Sequence, residues 1–399
     1  MAILAWILLL IACWGLIAHI GACLLVAARR FWPCRPGQSV PPGITLLCPL
    51  MAAGKQGAER QRQVLRAVFA QAYQRKEIIF CAAGLTAADL SAVRAARAAN
   101  AAVSSLLINL PAAGGADGAA GIAAALAKGF KAARYDRVAI APLHALLPAD
   151  YLARFISREE RESQSGPAAL ICAPLWAANP RGAKARLRAA FANGWRARRL
   201  CLADSLGVNM AESAEEAGEG QPVLAGQAAL LSYEAVIRAG GIDAFIHRAQ
   251  SRGAAAAAAE LARAGGGQIY LTARPWALAA GQGIGGAWPA AETAWLGQYR
   301  RFLPHLFWAE LLLSPFLPFL SFAAVCGLGL LPLMALLLFI AVWYGAELLC
   351  CALWGRGGSL ANCAFWPARD MLLPFLWLAA AVRRPVRAET GPNGKKQPA

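Results

Sequence analysis

The chain is poor in groups that can do chemistry. Of its 399 residues, 22 are Asp or Glu and four are His, against 39 Lys or Arg, so a site built on several carboxylates or imidazoles has few places to form. Eleven cysteines, an odd number, never occur in CxxC spacing, which argues against a zinc site or a disulfide framework. Cys13, Cys23, Cys326, Cys350 and Cys351 sit in long apolar runs, and Cys48, Cys81, Cys172 and Cys201 in apolar surroundings. All are read as reduced packing residues. The net charge of +17 comes without a basic stripe interleaved with aromatics, so nucleic acid is not an expected partner. Anionic lipid or nucleotide phosphate is the expected counterpart of these cations.

What the chain has in abundance is apolar length, with 58% hydrophobic residues. Residues 2–28 carry no formal charge and as a helix would cover about 40 Å, enough to cross a hydrocarbon core of about 30 Å. Arg29, Arg30 and Arg35 follow, and no small-residue cleavage site separates this run from the rest. It reads as a retained anchor with its basic end in the cytoplasm. Residues 311–346 are 36 consecutive uncharged positions, too long for one crossing and suited to a hairpin broken near Gly327, Gly329 and Pro332. Residues 357–382, charged only at Arg369 and Asp370, read as interfacial or re-entrant. A third crossing would carry the basic tail of Arg383, Arg384, Arg387, Lys395 and Lys396 outside. Glu310 and Glu347 flank the hairpin and read as interfacial.

The expected organisation is an anchor at 1–28, a cytosolic domain at 29–302, a transmembrane hairpin at 303–354, an interfacial or re-entrant segment at 355–384 and a basic cytosolic tail at 385–399. This describes a multi-pass inner-membrane protein whose main domain faces the cytoplasm.

Within the domain the pattern is α/β. Strands are expected at Ile44–Leu50, Glu77–Ala82, Val103–Ile108 and Arg137–Ala141, alternating with helices at Arg60–Gln71, Ala87–Ala99 and Ala119–Ala132. Such alternation builds a mostly parallel sheet, and ligands of these sheets sit at the carboxyl ends of the strands. Those ends are Pro49, Cys81 to Gly84, and Ala141 to His144. The acidic cluster at 211–220 reads as a solvated loop.

Several motifs carry a family resemblance. Cys48-Pro49-Leu50, Tyr73 to Cys81, Tyr135-Asp136, Pro148 to Leu152, Gly240-Gly241-Ile242 with Phe245, and Gln298-x-x-Arg301-Phe302 follow one another ahead of the C-terminal apolar run. Pro367-x-Arg369-Asp370-x-Leu372, Trp377 and Arg383-Arg384-x-Val386 close the series. Over nearly its whole length the chain resembles glycosyltransferase family 21, the ceramide glucosyltransferases and their bacterial, hopanoid-associated relatives.

The resemblance implies a GT-A-like fold in which a UDP-sugar donor meets a membrane lipid of ceramide, hopanoid or diacylglycerol type. It further implies an acidic cluster after the second strand for the nucleotide, an Asp-x-Asp-like metal element after the fourth, and a later carboxylate as general base. Physics explains each choice: a diphosphate leaving group needs a cation, and an acceptor hydroxyl needs a base within hydrogen-bond reach.

This sequence departs from that pattern at each point. Gly84, Leu85, Thr86 and Ala87 stand at the first acidic position; Pro142, Leu143 and His144 stand in the metal element, with no Asp or Glu between Asp136 and Asp150; Ser251-Arg252 stands at the base. A lone neutral His is a poor ligand for Mg²⁺ or Mn²⁺, so His144 reads as a loop residue and no metal site is expected. Gln298, Arg301 and Phe302 remain of the family's Gln-x-x-Arg-Trp, with the alternative that Arg301 and Phe302 only mark a membrane boundary. Asp243, one helical turn before His247, is the residual candidate base, against a surface-packing reading. Two functions follow. One is a degenerate family member that binds lipid, nucleotide or a partner enzyme; the other is an active transferase with a non-standard or metal-independent site.

Overall fold

Apolar runs buried on both faces form neighbouring strands within a seven-stranded sheet. The computed structural model describes residues 2–32, 41–52, 54–111, 118–141, 146–162, 168–172, 175–178, 182–191, 229–251, 314–353 and 360–382. It also describes residues 193, 198, 201, 202, 204, 261, 264, 268–272, 276–279, 292, 293, 296, 297, 300, 307 and 308. The strands are β1 (Ile44–Met51), β2 (Lys76–Ala83), β3 (Ser104–Leu110), β4 (Arg137–Ile140), β5 (Ala168–Cys172), β7 (Ala229–Ser232) and β8 (Gln268–Leu271), and β6 (Leu175–Ala178) pairs separately with β9 (Trp276–Ala279). The main sheet has the order β3-β2-β1-β4-β7-β5-β8. Its pairs are parallel except for β7, which runs antiparallel to both β4 and β5. The mostly parallel sheet expected from the alternation is therefore present.

Period-two alternation sorts the side chains. On β1 and β2, Leu47, Ile79 and Cys81 enter the core shared with helix α4 (Gly118–Lys131), while Ile44, Leu46, Cys48, Ile78, Phe80 and Ala82 enter the opposite core. That second core is closed by α2 (Gly54–Phe69), α3 (Ala87–Ala99) and α5 (Tyr151–Glu162). Burial on both faces explains why these strands read as continuous apolar runs. It also pushes the Cys48 thiol up to about 12 and the Cys81 thiol higher still, which keeps both protonated as packing groups. The helix α2 begins six residues before the expected Arg60 because its polar first turns carry no apolar periodicity.

Two glycines let α4 sit close to the sheet. A Cβ on Gly129 would fall 2.5 Å from Cys81 Sγ and 3.3 Å from Leu47 Cδ2, and one on Gly121 would fall 2.8 Å from Ala83 Cβ. Gly129→Val is therefore expected to destabilise the protein by about 1–3 kcal/mol through overpacking. Thermal unfolding of the detergent-solubilised chain checks this, with Gly21→Ala as the control because nothing lies within 4 Å of a Cβ there.

Outside the sheet, α1 (Ala2–Ala28, extended by a 3₁₀ turn through Phe31) and α10 (Leu333–Leu353) are long and apolar enough to cross a membrane. Numbered in chain order, α6 (Ala183–Ala189), α7 (Tyr233–Arg238), α8 (Gly241–Ser251) and α9 (Phe316–Gly327) lie between them, and α11 (Leu360–Cys363) and α12 (Trp366–Val382) follow. The helices α1 and α10 are parallel. His19 stacks on Trp343 at 4.0 Å, and Arg198 reaches Cys23 and Glu347 one turn further along both helices, at 3.6 Å each. By contrast α9 is antiparallel to α10, with Phe319 against Trp343 at 5.3 Å and Phe322 against Phe339 at 4.5 Å.

The hairpin breaks where the sequence indicates. Gly329 takes φ +72°, Leu330 N–H donates to Val325 O and Gly329 N–H to Cys326 O. That is the left-handed Schellman ending for which glycine is favoured, and Pro332 precedes α10. Among the expected segments, 385–399 lies outside the described residues.

Candidate functional site

Chain order locates the crevice. From β1 the chain steps to β2 and β3 on one side, then crosses back so that β4 lies on the other side of β1. The strand order reverses between β1 and β4, and in open α/β sheets ligands bind beside such a reversal, outside the carboxyl ends. Register aligns Met51 with Ala83 and Ala83 with Leu110, while Ala141 N–H donates to Leu47 O at 2.9 Å. The helices α2, α3 and α4 begin at this edge, so their N-terminal N–H groups offer the partial positive charge that suits an anionic ligand.

Side-chain carboxylates at this edge are otherwise engaged. Gly84 adopts φ +64° and donates its N–H to Leu110 O at 3.1 Å, turning the chain from β2 into α3. Asp89, buried, accepts from Thr86 N at 3.2 Å and Thr86 Oγ1 at 2.7 Å, while Thr86 Oγ1 accepts from Asp89 N. It is the reciprocal half of a capping box. Glu77 sits at the opposite edge, accepting from Thr45 Oγ1 at 2.8 Å and Arg134 N at 2.9 Å. Glu59 pairs with Arg62, and Asp150 with Arg154. Among the described residues no three His, Cys, Asp or Glu side chains gather as a metal site. Pro142, Leu143 and His144 lie outside the described residues, as does Asp117, a carboxylate one position ahead of α4 that motif matching passes over.

The family model for glycosyl transferase family 21 matches residues 4–390. The chain belongs to that family. No curated protein sequence matches it. Among solved structures it is similar to a mannosyltransferase from Pyrobaculum calidifontis in complex with GDP-Man and Mn²⁺, at 18% identity and TM-score 0.44, covering 94% of this chain and 98% of the other. It is also similar to TarS of S. aureus, at 8% identity and TM-score 0.36, covering 84% and 91%. A glucosyl-3-phosphoglycerate synthase from Mycobacterium tuberculosis, with Mn²⁺, UDP and glucosyl-3-phosphoglycerate, matches at 14% identity and TM-score 0.32, covering 68% and 85%. Family membership and the mostly parallel sheet together give the domain its GT-A-like class.

The remaining family-21 positions divide. Asp243 lies in the first turn of α8 and pairs at 2.5 Å with Lys131, both side chains being exposed. Lys131 ends α4, which starts at the carboxyl edge of the sheet, so this pair lies toward the opposite edge. From Asp243 the helix runs eight further residues to Ser251 (251 − 243), about 12 Å at ~1.5 Å per residue. Gln298, Arg301 and Phe302 lie outside the described residues. Their neighbour Arg300 donates to the carbonyls of Ala380, at 3.2 Å, and Ala381 at the end of α12.

Two buried ionic networks, which sequence reasoning did not assemble, join the domain to the apolar helices. At the foot of α1, Arg29 donates to Asp204 Oδ2 at 2.6 Å, to Cys201 O at 3.2 Å and to Thr272 O at 2.9 Å. Arg158 reaches the same carboxylate at 3.1 Å, and Arg29, Arg158 and Arg161 lie over the Trp32 ring at 4.3, 4.5 and 3.9 Å. In the second network, Glu347 of α10 takes two bonds from Arg369 of α12, at 2.5 and 2.9 Å, and faces Arg198 of the domain at 3.6 Å. Arg369 Nε also donates to Asp370 at 2.6 Å, and Tyr344 Oη donates to Asp370 at 3.0 Å.

Glu347, read from the sequence as interfacial by its place near a span end, is enclosed by protein groups. Its side chain is 1% exposed, because two guanidiniums supply the charge that makes burial tolerable. Its companion expectation, Glu310, lies outside the described residues. Arg369-Asp370 and Glu347 stood out in the sequence as isolated charges in apolar runs. Arg198, in an arginine-rich stretch, did not.

Proposed function

We propose that this family-21 protein is a membrane-anchored, degenerate transferase that binds a nucleotide, a membrane lipid or a partner enzyme and does not carry out metal-dependent sugar transfer. One observation carries the reading. Asp89, the first carboxylate after the second strand, is held in the α3 capping box and so is engaged with its own helix terminus. The sequence agrees, having no Asp or Glu from 137 to 149. Without carboxylate oxygens, neither a diphosphate-bridging cation nor a base for the acceptor hydroxyl is supplied.

Membrane attachment fits the helix directions. The domain-side ends of α1 and α10 are the ends beside Arg29, Arg30 and Arg356, which corresponds to a cytoplasmic domain under the positive-inside rule. The lipid would be of ceramide, hopanoid or diacylglycerol type by family resemblance. A second reading, an active enzyme with a rewired site, is favoured by the retention of Gln298-x-x-Arg301.

Isothermal titration of the full-length protein with a UDP-sugar, with and without Mn²⁺, tests the metal side of the proposal. Nucleotide affinity is expected to be the same in both. A clear Mn²⁺ requirement would show that residues such as Asp117 or His144 complete a metal site.

A further inference from the structure

Most of the segment left open between interfacial and re-entrant placement is one helix, α12, whose two ends both rest on the domain. At its start Trp366 packs with Ala190, just beyond α6, and with Cys351. At its end the carbonyls of Ala380 and Ala381 accept from Arg300, a cation placed where the helix dipole is negative. Between them Trp377 stacks on Phe307 at 4.9 Å and donates its indole N–H to Phe307 O at 3.0 Å. Seventeen residues span about 25 Å at ~1.5 Å per residue. A crossing helix would carry one end that far from the domain, whereas α12 keeps both ends against it.

The outer face of α12 is apolar and open. Met371, Phe375, Leu378 and Val382, spaced four, three and four residues apart, are 62%, 69%, 57% and 73% exposed. The inner face holds Arg369, Asp370, Leu373 and Ala380, all buried. The only charges on the helix are therefore turned inward and neutralised by Glu347 and each other.

We infer that α12 lies in the plane of the membrane surface and that its Met371–Phe375–Leu378–Val382 stripe is a lipid-contact surface, seated at the boundary between headgroups and acyl chains of the leaflet facing the domain. The inference rests on the membrane-anchored reading above. Two features select lipid as the occupant. The domain-side end of α1 also presents open apolar residues, Leu24, Leu25 and Phe31 being exposed. The residues that follow, Arg383, Arg384 and Arg387, complement anionic headgroups on the same side. The Glu347 network then sets the depth of the stripe, since Arg369 fixes α12 to α10 about nine ångströms of helix before its domain-side end.

Lipid photolabelling tests this on the intact wild-type chain. The protein is placed in nanodiscs containing phosphatidylglycerol and a phospholipid bearing a diazirine either near the ester or at the terminal methyl of one acyl chain, and labelled peptides are mapped by mass spectrometry. Residues 371–382 are expected to be labelled several-fold more by the ester-end probe, while Leu337 and Leu338 in α10 are labelled by the methyl-end probe. Equal labelling of 371–382 by both probes would mean a crossing helix and overturn the inference. So would labelling of α10 with none on α12, or crosslinks from the stripe to a second copy of the chain. Absence of label from α10 as well would overturn the membrane-anchored reading with it.

Discussion

Glu347→Ala is expected to destabilise the protein by about 3–5 kcal/mol, the range for removing one partner from a buried ion pair. The carboxylate faces two guanidiniums, bidentate with Arg369 and at 3.6 Å from Arg198, and all three side chains are at most 5% exposed. Truncation leaves both cations buried, Arg369 with Asp370 and Arg198 with the Cys23 sulfur. Glu347→Gln keeps the shape and one acceptor and should cost less. Thermal unfolding in a fixed detergent gives the ranking, and a double-mutant cycle with Arg198→Met tests the partner. The Arg198 substitution should cost less in the Glu347→Ala background than alone; equal costs in both would mean the 3.6 Å pair carries no energy.

The second large effect is expected at Asp204. It takes charge from Arg29 and Arg158, whose side chains are 0% and 5% exposed, so Asp204→Ala removes the carboxylate from two buried ion pairs, at a cost of about 3–5 kcal/mol. The consequence is more local than that of Glu347. Arg29 is the first residue after α1 and binds three groups of the domain, so losing its carboxylate loosens the junction between anchor and domain. Limited proteolysis should show faster cleavage around residues 32–43 in Asp204→Ala, with the fragment carrying β1 to β4 still resistant. Arg29→Lys should behave similarly, because an ammonium cannot divide its bonds among Asp204, Cys201 and Thr272 as a guanidinium does.

What the sequence reveals of this molecule follows from how local each signal is. β1 and β2 are legible because burial on both faces leaves unbroken apolar runs, and α3 matches its expected bounds, Ala87–Ala99, because Thr86 and Asp89 cap it. The same capping box explains Asp89, which sequence reading counts only as a nearby carboxylate. The hairpin between α9 and α10 is legible because Gly329 and Pro332 mark its turn. Strands β5 to β9 are four or five residues each in Ala-rich surroundings, too short for periodicity to declare them, and the antiparallel direction of β7 is a tertiary fact. The burial of Glu347 depends on Arg198, 149 positions away by residue number (347 − 198). No local pattern could pair them.

The candidate site is legible mainly through what it lacks. Carboxylates missing from a motif can be read directly from sequence, whereas Pro142, Leu143, His144, Gln298, Arg301 and Phe302 lie outside the described residues. A compensating residue would have to come from a distant segment, as Arg198 does for Glu347, so the reading depends on function as well as on geometry.

The most direct measurement is sugar transfer by the purified full-length protein from a panel of UDP-sugars to ceramide, diacylglycerol and hopanoid acceptors, with and without Mn²⁺, alongside Arg301→Lys, Arg301→Ala and Asp243→Asn. A degenerate family-21 member predicts no transfer with any donor or acceptor while nucleotide or lipid binding persists. Transfer by the wild type that falls when Arg301 is replaced would contradict it and establish an active enzyme with a rewired site.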